Sequence, residues 1–284
     1  MGYLSIQNLY KCQEVIAKYA EWYALEKIHG TSAHITFNKE IKFSSGGSKH
    51  SDFIKIFNQD DIKNKFDDMK IEGKVVVYGE AYGGKLLKMA ETYGPELKFV
   101  AFDVKVNDKW LTVPEAETFV KKLGLEFVSY KKISSTIKEL DEARDEESIQ
   151  AIRNGMGKGK LREGIVIRPL KEEDNKHDER IIYKHKRTEF SEHKTPKKLG
   201  DEIMTSQSAI QIAEDWVTEM RLEHVLDKLK KKKKELSIPN VIDAMVADIL
   251  REGRGEIDES PTLIKNIKSE SANLYKKYQK MHKT

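Results

Sequence analysis

Glu26-Lys27-Ile28-His29-Gly30-Thr31 stands between an aromatic and apolar run, Trp22-Tyr23-Ala24-Leu25, and an alternating one, His34-Ile35-Thr36-Phe37. Alternation of polar and apolar residues marks a half-buried strand, so a strand, a tight turn and a second strand are expected here. Gly30 lets the backbone turn and lets a flat ligand approach closely. An amine held between two strands is partly desolvated, which suits a nucleophile directed at carbonyl or phosphoryl centres. Taken alone, the four-residue pattern from Lys27 to Gly30 is weak, and an ordinary surface lysine is its simpler reading.

The 284 residues suffice for one large domain and a smaller one, each with its own core. Charged residues make up 35% of the chain and no run of eighteen apolar residues occurs, so no helical membrane span is expected. The first residues, Met1-Gly2-Tyr3-Leu4-Ser5-Ile6, carry neither a basic leader nor a long apolar segment, which points away from a cleaved secretory signal. A cytoplasmic setting follows as an expectation. Cys12 is the single cysteine, so an internal disulfide and a multi-thiolate zinc site are both excluded. The net charge of +4 is modest but uneven, with a dense basic run at Lys228 and Lys230 to Lys234. That run suits either polyanion binding or the solvated carboxyl end of a helix, where lysines meet the dipole favourably.

Further along, Leu9, Cys12, Ile16 and Tyr19 fall at helical spacing, 44–48 is rich in turn residues, and a helix is expected around 60–69. Strands are expected at 74–80 and 98–104, and Pro114 suits the first turn of a helix running to about Leu123. Two polar helical stretches precede strands at 164–168 and 180–184, which a wholly polar loop connects. Beyond about Gly200 the strand pattern ends. Ile210, Ala213, Val217 and Met220 mark an amphipathic helix; a second begins near Pro239 and stops near Gly253; a third follows Ser260 and Pro261. The reading is therefore α+β: antiparallel sheets with flanking helices over 1–198, then a small all-helical domain over 199–284, with 187–198 as connector.

Five short segments occur in one order: Lys27-Ile28-His29-Gly30, Tyr78-Gly79-Glu80, Phe99-Val100-Ala101-Phe102-Asp103, Glu163-Gly164-Ile165-Val166-Ile167-Arg168-Pro169, and Tyr183-Lys184-His185-Lys186. Lys184 and Lys186, two apart on a strand, share a face and can both reach one phosphate. Glu163, just before an apolar run, is either a solvated strand start or a carboxylate able to hold magnesium directly or through water. Phe102 is first a core candidate, as any strand aromatic is, and equally a stacking surface. His29 is either structural or catalytic.

The ordered set resembles the nucleotidyltransferase motifs of polynucleotide ligases and messenger-RNA capping enzymes, with an ATP-grasp-like ligase fold, and the stretch from Glu26 to Thr31 is most similar to the phage RNA ligase 2 family. DNA ligases and capping enzymes usually carry aspartate where His29 stands and continue into a β-rich OB domain; this chain continues into helices. The resemblance implies an ATP-dependent RNA ligase of RNA repair, with Lys27 as covalent carrier of AMP and His29 acting after adenylylation. It further implies that backbone groups of Glu26 and Ile28 read the adenine edge, that Glu80 binds the ribose hydroxyls, and that Phe102 stacks on the base. Lys184 and Lys186 would bind phosphate and Glu163 would hold the metal, magnesium or alternatively manganese. The implied partner is RNA with 5′-phosphate and 3′-hydroxyl ends, for instance a nicked duplex, acted on by a monomer in a cytoplasm, the host's if the source is viral. DNA or mixed-strand ligation, and an inactive nucleic-acid-binding relative, are the rival readings. Ser32 takes the place of a polar residue, often asparagine, that contacts nucleotide and nucleic acid in relatives. Where relatives carry a basic motif about twenty residues after the nucleophile, this chain has Ser44-Ser45-Gly46-Gly47; Lys42 or Lys49 could substitute, or the loop amides could form an anion-binding nest.

Overall fold

The structure, a computed structural model, describes residues 2–175, 177–191, 194, 199–200, 209–254, 256–257 and 259–282. The chain divides into two compact units, Met1–Leu9 with Glu14–Arg187, and Tyr10–Gln13 with Thr188–Thr284. Half of the connector expected at 187–198 lies outside the described residues.

The first unit is built on ten strands: β1 (Gln7–Asn8), β2 (Glu21–Lys27), β3 (Thr31–Asn38), β4 (Glu40–Ser45), β5 (Val75–Gly83), β6 (Leu97–Val106), β7 (Lys109–Trp110), β8 (Tyr130–Ser134), β9 (Gly164–Pro169) and β10 (Tyr183–Lys186). They form two five-stranded sheets, ordered β1-β10-β9-β2-β8 and β4-β3-β5-β6-β7. Strand pairing is antiparallel except at the edge, where β1 joins β10 in parallel. Helices α1 (His50–Ile54), α2 (Gln59–Asp68), α3 (Ala90–Tyr93), α4 (Val113–Lys122), α5 (Ile137–Asp145) and α6 (Ile149–Arg153) flank them. One core gathers Leu25 of β2, Ala33, Ile35 and Phe37 of β3, Val75 and Val77 of β5, and Val100 and Val104 of β6. Ile62 and Phe66 of α2 and Phe119 and Val120 of α4 close over it. Phe37 and Phe66 stack with ring centroids 4.8 Å apart, which fixes α2 on β3. On α4, Thr112 and Glu115 form a reciprocal capping box ahead of Pro114, as the proline placement anticipates.

The second unit holds α7 (Ala209–Trp216), α8 (Glu219–Lys231), α9 (Ile238–Glu252) and α10 (Pro261–Met281) around Trp216, Leu222, Val225, Met245, Ile249, Leu263, Ile267 and Tyr275. Of the lysine run, Lys228 is tied to Asp248 at 2.7 Å, and Lys228, Lys230 and Lys231 lie in the last turn of α8.

Several expectations need correction. The 9–19 segment is two 3-10 turns, Leu9–Lys11 and Gln13–Lys18, which bury Leu9 and Val15 rather than a continuous helical stripe. Ser44 and Ser45 end β4, which pairs with β3 through six positions, so the turn starts only at Gly46. The last strand of the first unit is shifted to Tyr183–Lys186 by its register with β9. The single helix expected over 210–220 is two: Thr218 caps α8 by accepting from the Arg221 amide, while the Arg221 side chain donates to the Trp216 carbonyl at the end of α7. No helix among the described residues is long and apolar enough to cross a membrane.

Candidate active site

The register of the first sheet places the cluster. Gly164 on β9 stands opposite Lys27 on β2 and opposite Lys186 on β10, so one glycine separates two lysines in a single row across three strands. Gly164 has φ +148°, and a Cβ there would lie 2.2 Å from the His185 carbonyl oxygen, so only glycine fits the row. Glu163, immediately before it, reaches both lysines: Oε2 lies 2.8 Å from Lys27 Nζ and Oε1 lies 2.9 Å from Lys186 Nζ. His29 Nδ1 stands 3.3 Å from the same Oε2. Four of the nine expected site residues therefore meet at one carboxylate.

Glu163 is 2% exposed, and burial alone would raise its carboxyl. The charges of Lys186 and Lys27, with the contact from His29, outweigh that effect and hold it well below the ordinary carboxylate range. Glu163 is thus an anion at neutral pH, hydrogen-bonded at both oxygens. Lys27 retains some exposure, its side chain being 22% accessible against 12% for Lys186. The amine expected to react is the more open of the two.

The turn after Lys27 is held close to β5. A Cβ on Gly30 would fall 2.3 Å from the Ala81 carbonyl oxygen, so glycine here serves close approach. Glu80 is half-buried on β5 and lies opposite Ser32 of β3, which gives the two residues a common sheet face. Tyr93 accepts from the His29 amide at 3.3 Å; burial raises its hydroxyl strongly, and the charges of Glu26, Glu163 and Glu80 add to the rise.

Other expected residues have placements the sequence does not show. The Glu26 amide donates to the Ser129 carbonyl at 2.8 Å, and its buried side chain faces α6. Ile28 is 4% exposed and belongs to the core. Phe102 occupies the β-bulge where the β5–β6 register shifts between Tyr78 and Gly79; its ring meets that of Tyr3 edge-on at 4.9 Å. Tyr3 also donates to Asp103, which two arginines, Arg168 and Arg180, pair. Lys184 lies on the same strand face as Lys186, opposite Val166. In the 44–48 stretch, the Gly46 amide donates to the Ser32 carbonyl at 2.9 Å, and the Gly47 and Ser48 amides face Ser45 Oγ at 3.4 Å, so these amides serve the turn itself. Lys42 is exposed and lies 3.9 Å from Glu40; Lys49 stands at the N-cap of α1.

Between the two lysines of β10, His185 points the other way, 2.7 Å from Asp141 Oδ1 and 3.1 Å from Arg144 Nη1. Burial lowers its imidazole, with Asp141 opposing. The alternation of Lys184, His185 and Lys186 was the available signal for that opposed face; Asp141 had none, lying 44 residues away. Among the described residues no three His, Cys, Asp or Glu side chains form a metal cage. One ionised carboxylate beside two lysines has the donor chemistry of a partial magnesium site, since magnesium commonly takes one or two carboxylates and fills its remaining positions with waters and phosphate oxygens.

The profile of the RNA ligase family matches residues 20–186. No curated protein matches the chain. Solved structures similar in fold include a lysine-to-alanine variant of Naegleria gruberi RNA ligase with ATP and Mn, at TM-score 0.52 and 14% identity over 67% of this chain and 56% of that one. The same enzyme with pyrophosphate gives TM-score 0.51 and 15% identity over 67% and 57%, and a lysine-to-methionine variant with AMP and Mn gives 0.51 and 14% over the same shares. The chain thus spans a little over half the length of these ligases. With the family profile covering more than half of its residues, the chain belongs to the RNA ligase family.

Proposed function

We propose that the chain is an ATP-dependent RNA ligase that joins 3′-hydroxyl and 5′-phosphate ends through a lysyl-AMP on Lys27. The observation that carries this reading is the ion cluster at Glu163, which sets an accessible lysine beside a second cation and an ionised carboxylate. Lys27 Nζ, after losing a proton, attacks the α-phosphorus of ATP; a P–N bond forms, the P–O bond to the β-phosphate breaks, and pyrophosphate leaves. Lys186 and Lys184 on their common strand face neutralise charge on the phosphoryl oxygens, which is the main protein contribution to phosphoryl transfer. A 5′-phosphate oxygen then takes the AMP from Lys27 and returns the amine. Finally a 3′-hydroxyl attacks the activated 5′-phosphate and AMP departs.

Glu163 is the residue proposed to hold magnesium, or manganese in its place, and the ion would supply charge neutralisation on the triphosphate when bound. Glu80 serves the ribose hydroxyls and Phe102 the base, and the lysines of the helical unit serve the backbone of the joined strand. A monomer in a cytoplasmic setting completes the reading. Naegleria gruberi RNA ligase structures with ATP and Mn, with pyrophosphate, and with AMP and Mn support the choice of nucleotide and cation. The test is sealing of nicked duplexes whose 3′-hydroxyl strand is RNA or DNA. Sealing at RNA ends, dependent on ATP, is expected; sealing confined to DNA ends contradicts the RNA assignment, and no sealing of any end contradicts ligation.

A further inference from the structure

We infer that the Glu26 side chain is a positioning residue, one end of a buried brace that holds Lys27 in register with Glu163; this rests on the ligase reading above. The carboxylate points away from the cluster. Ser148 Oγ donates to Glu26 Oε1 at 2.5 Å and the Gln150 amide donates to Oε2 at 3.2 Å. Ser148 is the N-cap of α6, its hydroxyl also accepting from the Ala151 amide at 3.0 Å, and it is fully buried. The first turn of α6 is thereby attached to the residue next to the nucleophile.

The end of α5 and the residue before the α6 cap hold the residue next to Glu163. Arg162, 4% exposed, donates through Nη2 to the Glu147 carbonyl at 2.8 Å, through Nε to the same oxygen at 3.1 Å, and through Nη1 to the Ala143 carbonyl at 3.2 Å. Adjacent residues, Glu147 and Ser148, therefore set Arg162-Glu163 and Glu26-Lys27 from behind. The far end of α6 reaches the turn after the nucleophile: Asn154 Nδ2 donates to the Tyr93 carbonyl at 2.9 Å, and the Tyr93 hydroxyl receives the His29 amide. Gln150 Nε2 adds a bond to Tyr82 at 2.9 Å beneath the same segment.

Burying a carboxylate is costly unless it is hydrogen-bonded, so a carboxylate here has to be explained by what it holds. An apolar residue at 26 would fill β2 equally well but would leave Ser148 and the Gln150 amide without an acceptor. Misplacing a reacting atom by about 1 Å can cost roughly a hundredfold in rate, so a brace of this kind acts on the chemical step more than on ligand binding.

The experiment measures the rate of lysyl-AMP formation at saturating ATP, the ATP dissociation constant, and the thermal midpoint for Glu26→Gln, Ser148→Ala and the double variant, with Ser260→Ala as a cap variant of α10 that leaves the brace intact. The brace requires each single variant to slow labelling tenfold or more with ATP binding within about twofold, the double variant to be no slower than the worse single one, and Ser260→Ala to label at the wild-type rate. Folded Glu26→Gln or Ser148→Ala protein labelling at the wild-type rate overturns the inference, as does a loss that Ser260→Ala reproduces or one that tracks weaker ATP binding. Should Glu26→Gln not fold, Ser148→Ala decides alone by the same criteria. If the wild-type protein takes no AMP at all, the ligase reading fails first.

Discussion

A carboxyl group buried as Glu163 is would ordinarily hold its proton, and here three cationic or hydrogen-bonding neighbours reverse that. The two lysines depend on the carboxylate in turn, since both direct their ammonium groups at it. Glu163→Gln preserves volume and removes the charge, so it should destabilise the first unit by roughly 1–3 kcal/mol as well as abolish metal-dependent labelling. Chemical denaturation checks the first effect; unchanged stability would mean that the ion pairs contribute nothing in solution. At this scale the grouping of Lys27, His29, Glu163 and Lys186 was legible from the order of the motifs they stand in, and not from any one of them alone. Glu26 was legible only in part. Its side chain meets Ser148 across 122 positions, a separation over which a single sequence carries no pairing signal.

Strands were easiest to read where β-branched residues repeat, as in Val75–Gly83, and hardest where the run is short or charged, as in Tyr130–Ser134 with two lysines. The break between α7 and α8 was hidden because apolar periodicity continues through Val217 while Thr218 and Arg221 satisfy the two helix ends. Within the second unit, Asp248 of α9 is tied to α8 through Arg221 at 2.8 Å and Lys228 at 2.7 Å, and pairs within its own helix with Arg251 at 2.6 Å. Burial would raise its carboxyl, but Lys228 and Arg221 lower it to about 2. A depressed carboxyl stabilises above its unfolded value and loses that contribution as pH falls toward the folded one. Asp248→Asn should therefore cost about 2 kcal/mol at pH 6 and less than half of that near pH 2.5. Denaturant titrations at the two pH values check this; an equal cost at both would remove Asp248 as an ionic link. In the first unit, Gly164→Ala should disrupt the β9–β10 pairing, because the new Cβ meets the His185 carbonyl. Loss of both thermal stability and labelling is expected, and a wild-type melting profile would show that the strand can adapt.

On the scale of the molecule, an α+β unit carrying the cluster and a helical unit carrying the basic run were both visible from the change in periodicity near Gly200. Which amides of the 44–48 stretch are engaged was not visible, because that depends on β4 lying beside β3. The chain spans 56–57% of the Naegleria gruberi ligases it resembles in fold, so its activity rests on its own geometry and must be measured on it directly. The decisive measurement is incubation of the purified protein with ATP or GTP and magnesium, then peptide mapping by mass spectrometry after denaturation. One AMP on the peptide containing Lys27, absent from Lys27→Ala and not formed as GMP from GTP, is expected. A protein that carries no nucleotide, or that carries AMP when Lys27 is replaced, would contradict Lys27 as the covalent carrier.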